Sequence, residues 1–518
     1  MAKVGQIIET TIDRFDGGIV NDHHDTQENT SRMTSNFDIV TNPHRLTPYH
    51  DTEDGHSAAS TFRPRNYALA LRTGTTYAIY ALGVQSGASD AEIQYKALTT
   101  GSSNDLDDNG WSTTAANTQT TGATFDEELF VWYPKTQLIY GARTGTHIWT
   151  YEPNGGGFSD SAQALTYTNI AQGLVHSQDD ILYIPYDNKV LSNNNGSYNT
   201  TAATVPTHFV ITSICEYGNF LAIGAAPLSG IGNSRVFLWN RDASVTTFSE
   251  SIDWGEGSLR ILEVVDGVLI GISQIGGAGA GPPTFSSGFF TDRVIFRVYD
   301  QSKGAVQFRE LQGGTATTQV RIPKQKIDNQ LFFTMLIELD GVVRSGVWSI
   351  GRHNINSPFA LTLETPPNNN TALTTGDQTP AFIIVGDYTF ITSVASSTWA
   401  VQKTDNTANY TANSVYESKK YNSGDSSLKK DLIGFTVMTE FLPSAGQIIA
   451  EYAIDENIGQ ASWTNILTET TNDSISASDV AGLPKDYKEI AFRIESTGNA
   501  EITGFSWKEK ITGKRAYD

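Results

Sequence analysis

A loose repeat of roughly fifty residues runs from about residue 65 to about residue 410 and constrains this chain more than any other feature. Each copy opens on a short apolar run, crosses a turn and closes on a strand carrying an aromatic residue. The opening runs centre on Ile79, Phe130, Leu182, Leu221, Leu269, Phe332 and Thr389. Closing strands are placed at Tyr95, Trp149, Trp239, Tyr299, Trp348 and Trp399. A strand unit of this length cannot bury a face alone, so copies must stack around a ring or along a solenoid. Four-stranded blades consume roughly 40 to 50 residues each, which implies about seven of them. The expected fold is all-β: a β-propeller of about seven blades with flanking pieces.

The runs read as strands because they are short, rich in β-branched and aromatic residues, and bounded by turn formers. Residues 218–224, 234–239, 266–271, 292–299, 331–337 and 345–348 are the clearest. No window sustains the apolar spacing of a helix over three turns. The pairs Asp266-Gly267, Asp340-Gly341, Asn195-Gly196 and Gly386-Asp387 supply the positive-φ residues that hairpin turns need.

Three regions are expected. Residues 1–62 are polar, hold five of the nine histidines and have few apolar runs, so they read as an extended arm on another part of the protein or on a neighbour. Residues 63–411 are the propeller, with residues 366–377 a long polar loop between blades. Residues 412–518 change rhythm, with alternating strands near 432–440, 447–452, 489–495 and 501–507, and suggest a small β-sandwich.

The formal net charge of −21 over 518 residues disfavours gripping nucleic acid by its phosphates. The single cysteine, Cys215, sits in an apolar strand, so no intrachain disulfide forms and the thiol reads as core. No apolar run is long enough for a membrane span, and the N-terminus has no signal-peptide core. The expectation is a soluble protein made in a cytosol.

Several segments invite chemistry. Asp105, Asp107 and Asn109, followed by Gly110, match the first half of a Ca²⁺ loop, where alternate oxygen ligands converge before a sharp turn. The closing Glu is absent, Ala116 standing there, so a bound ion would need a ligand from elsewhere, such as Asp126 or Glu128, and the alternative is a solvated acidic turn. His23, His24, Asp25, His44, His50 and His56 form a His/acid group without metal-ligand spacing and read as loop histidines. Residues 251–255 partly match the Asp-box turn of sialidase-like propellers, but one truncated box is a turn signature more than a catalytic one. The run from Gly276 to Pro283 lacks the Lys-Ser/Thr of a phosphate loop. Lys419-Lys420, Lys429-Lys430 and residues 508–515 read as solvated surface.

A resemblance adds to these readings. The arm contains Phe15 to Ile19 around Gly17-Gly18, then Asn36 to Ile39, then Asn42 to Tyr49 with Arg45, Leu46 and Pro48. This opening is similar to that of phage tail proteins, among them the tail nozzle, or tail tubular protein B, family of short-tailed phages. Residues 416–419, Lys429-Lys430 and residues 492–495 likewise resemble phage tail β-sandwiches. The resemblance implies a structural, non-enzymatic virion component made in the host cytoplasm. It further implies that copies would form a ring of about six that continues the channel for genome ejection and contacts other tail or adaptor proteins. DNA passes without sequence recognition. A receptor- or glycan-binding tail protein is the alternative, and a propeller hydrolase a third reading.

Overall fold

The computed structural model describes residues 5–20, 30–49, 52–55, 62–85, 91–98, 106, 110–113, 125–229, 232–245, 247–275, 293–313, 319–339, 342–365, 378–395, 398–404, 414–423, 427–460, 462–479 and 481–514. Strands dominate them. The helical element among the described residues is a single 3₁₀ turn, Asp455–Asn457.

Seven antiparallel blades follow one another along the chain. Five are local four-stranded meanders, spanning 62–113, 125–164, 174–204, 209–256 and 258–312. The sixth comprises Gln319–Ile327, Gln330–Leu339, Val342–Gly351 and Ala360–Thr365. The seventh has three strands of its own, Gln378–Val385, Tyr388–Ala395 and Thr398–Thr404. Its fourth is Thr52–Asp54, which pairs antiparallel with Thr398–Thr404. The ring is therefore closed by a strand from the arm, so the last blade is complete only when the two ends of the propeller meet.

The period seen in the sequence has a structural cause. All six closing aromatics lie on the third strand of their blade. Their positions along that strand differ: Trp239 is its last residue and Trp399 its second. Trp149, Trp239 and Trp348 are buried at 0–1% exposure, and each fills space that a ring of this size must exclude from water. Trp399 is half-buried instead, under the guanidinium groups of Arg63 and Arg65. Blade three has no aromatic on its third strand, Lys189–Asn194, which is why no closing strand stood out there.

Six of the seven opening runs lie on second strands, but Phe130 lies on a first strand, Phe125–Tyr133. The correction has a simple origin. Residues 129–133 are the most apolar run of that blade, while its true second strand, Leu138–Arg143, is shorter and interrupted by Gly141. Gly141 is needed because a Cβ there would meet the Trp149 ring at 2.0 Å. Asn195-Gly196 and Asp266-Gly267 both take positive φ, as two-residue hairpin turns require. The Asp340-Gly341 turn and the 366–377 loop lie outside the described residues.

The C-terminal sandwich packs two sheets over an aromatic core of Tyr416, Phe435, Tyr487, Phe492, Phe505 and Trp507. One sheet is ordered Ile7–Ile12, Ile502–Lys514, Leu428–Thr439, Ser476–Asp479. The other is ordered Ser414–Ser418, Ile490–Thr497, Gln447–Ile454, Thr464–Glu469. It is not a separate sheet. The arm strand Thr30–Ser35 pairs antiparallel with Ser414–Ser418 on one side and meets Leu363 of blade six on the other. The result is one ten-stranded sheet running from the propeller into the sandwich.

The arm differs from expectation in its packing. Its strand additions to the sandwich and to blade seven fit an extended segment, but poor packing does not hold. Phe15, Ile19, Phe37, Ile39 and Leu46 are all buried in the cores of the sandwich or of blades five and six. Each such side chain is worth roughly 1.5–3 kcal/mol of burial. The described part of the arm is thus held by its own chain. A few well-spaced anchors suffice where the rest of the segment borrows hydrogen bonds from existing sheets.

Candidate functional site at the arm seam

The residues that join arm, propeller and sandwich form a continuous polar construction. At its start Gly18 takes φ +68°, and a Cβ there would lie 2.5 Å from the Leu361 nitrogen. Only glycine lets the arm turn that close to the outer strand of blade six. Arg309 of blade five donates through Nη2 to the Gly17 carbonyl at 2.7 Å, and Arg32 through Nη1 to the Val20 carbonyl at 2.9 Å.

Thr30–Ser35 is polar in every position but Met33, yet wholly buried. Its hydroxyls find partners inside, with Ser31 Oγ and Thr34 Oγ1 at 2.6 Å and Thr362 Oγ1 donating to the Thr34 carbonyl at 3.3 Å. Asn36, at φ 60°, then turns the chain. Its N–H donates to Leu363 of blade six, and its Nδ2 to Ser414 Oγ of the sandwich at 3.2 Å. One residue therefore touches both bodies.

Beside Asn36 lies Glu364, buried within the sheet. Ser349 Oγ donates to its Oε1, and the Tyr49 phenol and Asp38 carboxylate approach from the arm. Burial pushes this carboxyl up to about 8, against the pull of the Ser349 and Tyr49 hydroxyls, with Asp38 adding to the rise. Farther along, Arg45 bridges Glu440 and Glu501 of the sandwich, each at 2.6 Å. On the sandwich sheet Arg493 sits among Glu417, Glu451 and Glu495, and Arg344 of blade six reaches Glu417 at 4.0 Å.

The ring itself is cross-linked near its axis. Lys324, on the first strand of blade six, pairs with Glu263 of blade five at 2.9 Å. Its ammonium also donates to the Leu262 carbonyl and, at 2.9 Å, to the Ile214 carbonyl of blade four. Gln325 bonds both backbone groups of Ile384 in blade seven, at 2.7 and 2.8 Å, as a strand neighbour would.

The nearest approach to acid–base machinery lies between blades three and four. His176 is fully buried at the end of Leu174–His176, with its pKa lowered chiefly by burial. Arg241 reaches the imidazole, the Asp179 carboxylate at 3.0 Å and Gln178 Oε1 at 3.0 Å. Tyr183 donates to Asp179 at 3.0 Å, and Glu216 accepts from Ser177. A guanidinium lying against the ring leaves the imidazole no open side toward a substrate, so the arrangement ties blades together. A hollow of about 160 Å³ beside blade three is lined by Thr201, Thr204, Trp239, Val245, Thr247 and Phe248 among others, none of them an acid or base.

Of the residues singled out in the sequence, Asp105, Asp107 and Asn109 lie outside the described residues, as do His23, His24, Asp25, His50, His56 and residues 276–283. The neighbours of the acidic loop are placed. Lys403 donates to the Leu106 carbonyl at 2.8 Å and Lys96 to the Gly110 carbonyl at 2.9 Å, both side chains being buried. Positive charge at that backbone opposes a divalent cation. Adding Ca²⁺ is therefore expected to leave the melting temperature unchanged. Ion binding at a hundredfold excess over Kd would add about 2.7 kcal/mol, and a shift of that size in a calcium titration would support the ion site instead.

Asp126 sits beside Tyr167 on blade two, and its contact helps raise that phenol, after burial itself. His44 is exposed, its Nδ1 3.1 Å from the Asp13 carbonyl. Residues 251–255 lie within the outer strand Glu250–Glu256 of blade four, where Gly255 at φ 83° marks a bulge, so the Asp-box reading gives way to an irregular edge strand. Cys215 is a buried thiol, raised in pKa by burial. Lys430 departs from the surface reading: it is fully buried and donates to the Lys488 carbonyl at 2.5 Å. Glu364, Lys324 and Arg309 carried no sequence signal, since each is one polar residue among others in a strand of its blade. Among the described residues no group of three or more His, Cys, Asp or Glu side chains is placed to hold a metal ion. No helix among them is long and apolar enough to cross a membrane.

No family model matches the chain, and no curated protein matches it. Solved structures share the propeller architecture at low identity. The WD40 domain of Toxoplasma gondii coronin is 9% identical with a TM-score of 0.39, over 71% of this chain and 88% of that one. BBS1N, solved in complex with ARL6DN, is 11% identical with a TM-score of 0.36, over 70% and 98%. The extracellular domain of the putative hybrid two component system BT4673 from B. thetaiotaomicron is 12% identical with a TM-score of 0.37, over 77% and 46%. The strand topology makes the chain an all-β protein built on a β-propeller.

Proposed function

We propose that this chain is a structural component of a phage tail, whose copies form a ring of about six around the path of the genome and offer a platform to other tail proteins. The observation that carries the reading is the ten-stranded sheet that runs from blade six through the arm into the sandwich. It makes two bodies one stiff piece, which suits a wall element better than a pair of domains on a flexible linker. The resemblance of the arm and sandwich to tail proteins points the same way. A net charge of −21 suits a channel that DNA must leave without adhering. The role is mechanical and electrostatic, without catalysis by the chain.

Light scattering on the purified chain tests this directly. The expected result is a stable assembly near six times the 56.3 kDa chain mass. A trimer that binds host cells would favour the receptor- or glycan-binding reading. Release of sugar from a polysaccharide panel would favour a hydrolase.

A further inference from the structure

We propose that Glu364 is a proton-operated catch: protonated, it lets the arm lie closed against blade six, and ionised, it loosens the seam that joins propeller to sandwich. The inference rests on where the carboxyl sits and what surrounds it. Glu364 is on the outer strand of blade six, under the arm strand that links that blade to the sandwich. Ser349 Oγ, from the neighbouring strand, donates to its Oε1, and the Tyr49 phenol of the arm lies nearby. Its other oxygen, Oε2, is buried without a hydrogen-bond partner. The nearest charge is Asp38, a second carboxylate, whose Oδ1 is occupied by the Val40 and Thr41 N–H groups at 3.0 and 2.9 Å.

A buried carboxylate flanked by hydroxyls and a like charge is costly unless it takes a proton. The other titratable groups of the seam face elsewhere. Arg32 of the arm strand donates to the Val20 carbonyl, Arg344 of blade six reaches Glu417, His353 turns its Nδ1 to the Val40 and Thr41 carbonyls at 3.2 and 3.1 Å, and Arg45 points to the sandwich. Tyr49 is raised well above its ordinary value, chiefly by burial, and stays protonated through the range in question.

The sign follows from linkage. Closed, Glu364 titrates near 8, whereas a carboxyl released to water titrates near its ordinary value of 4.5. Between those values opening releases a proton, so the seam opens more readily as pH rises. The opening equilibrium should rise about tenfold per pH unit across that window and level off above it. What loosens first is the short set of arm bonds, Asn36 N–H to Leu363 and Tyr49 N–H to Asn36.

Hydrogen exchange on the full chain, corrected for the intrinsic effect of pH, tests the catch. Amides of residues 30–49 should lose protection by about tenfold per unit between pH 5 and 8, while second-strand amides of blade four do not. Glu364→Gln should hold protection constant over the same range, and His353→Gln should leave the dependence as it is. Asp38→Asn, a gentler change, should move the levelling point to lower pH. Protection at 30–49 that does not change with pH, or that changes equally in the Glu364→Gln chain, would overturn the proposal. If Glu364→Gln does not fold, the Asp38→Asn shift decides, and its absence counts against the catch.

Discussion

Gly18→Ala is expected to cost about 3 kcal/mol or more and to free the arm from blade six. Two effects add. The residue holds φ +68°, which an alanine adopts only with strain, and the new Cβ would fall 2.5 Å from Leu361 N and 2.8 Å from Ala360 Cα. Those atoms belong to a paired strand, so they cannot swing aside as the tip of a side chain would. The control is Gly267→Ala, at φ +76° with nothing within 4 Å of the added atom. It carries the conformational penalty alone, about 1 kcal/mol. Denaturant midpoints and limited proteolysis of residues 5–20 read both changes. Equal losses for the two variants would mean that the arm does not seat as described.

Lys324→Met is the second large effect, expected to cost about 3 kcal/mol. The loss is less that of a favourable pair than of compensation for Glu263, whose side chain is only 16% exposed. Removing the ammonium also takes a donor from the Ile214 carbonyl and leaves the Leu262 carbonyl with Ser213 Oγ as its remaining side-chain donor. The double change Glu263→Gln with Lys324→Met should recover part of the loss, because the stranded charge is gone. Guanidinium unfolding followed by tryptophan fluorescence reports on blades one, two, four, six and seven and, through Trp463 and Trp507, on the sandwich. A single Lys324→Met chain as stable as the parent would show that the three first strands do not depend on this lysine.

How far the fold was legible depended on which interactions declare themselves locally. Third-strand aromatics recur in six of the seven blades, and the period of 3.6 never appears, so the propeller could be read from residues such as Trp149 and Trp348. The sandwich strands were equally plain, since Phe435, Phe492, Phe505 and Trp507 alternate with polar neighbours. Thr30–Ser35 was not legible as the strand that joins the two bodies. Its sequence looks solvated, and it is buried only because blade six and Ser414–Ser418 supply partners more than 300 residues away. The same applies to Glu364, whose neighbours Asp38 and Tyr49 are distant in sequence. The Phe15-to-Ile19 motif was noticed for its likeness to tail proteins, and its physical reason, a glycine pressed on a backbone, emerges only with the fold.

Electron microscopy of the purified full-length chain tests the central claim most directly. The account predicts closed rings of about six copies around an open centre, each copy showing propeller and sandwich at a fixed angle. Isolated monomers whose sandwich swings freely against the propeller would contradict it.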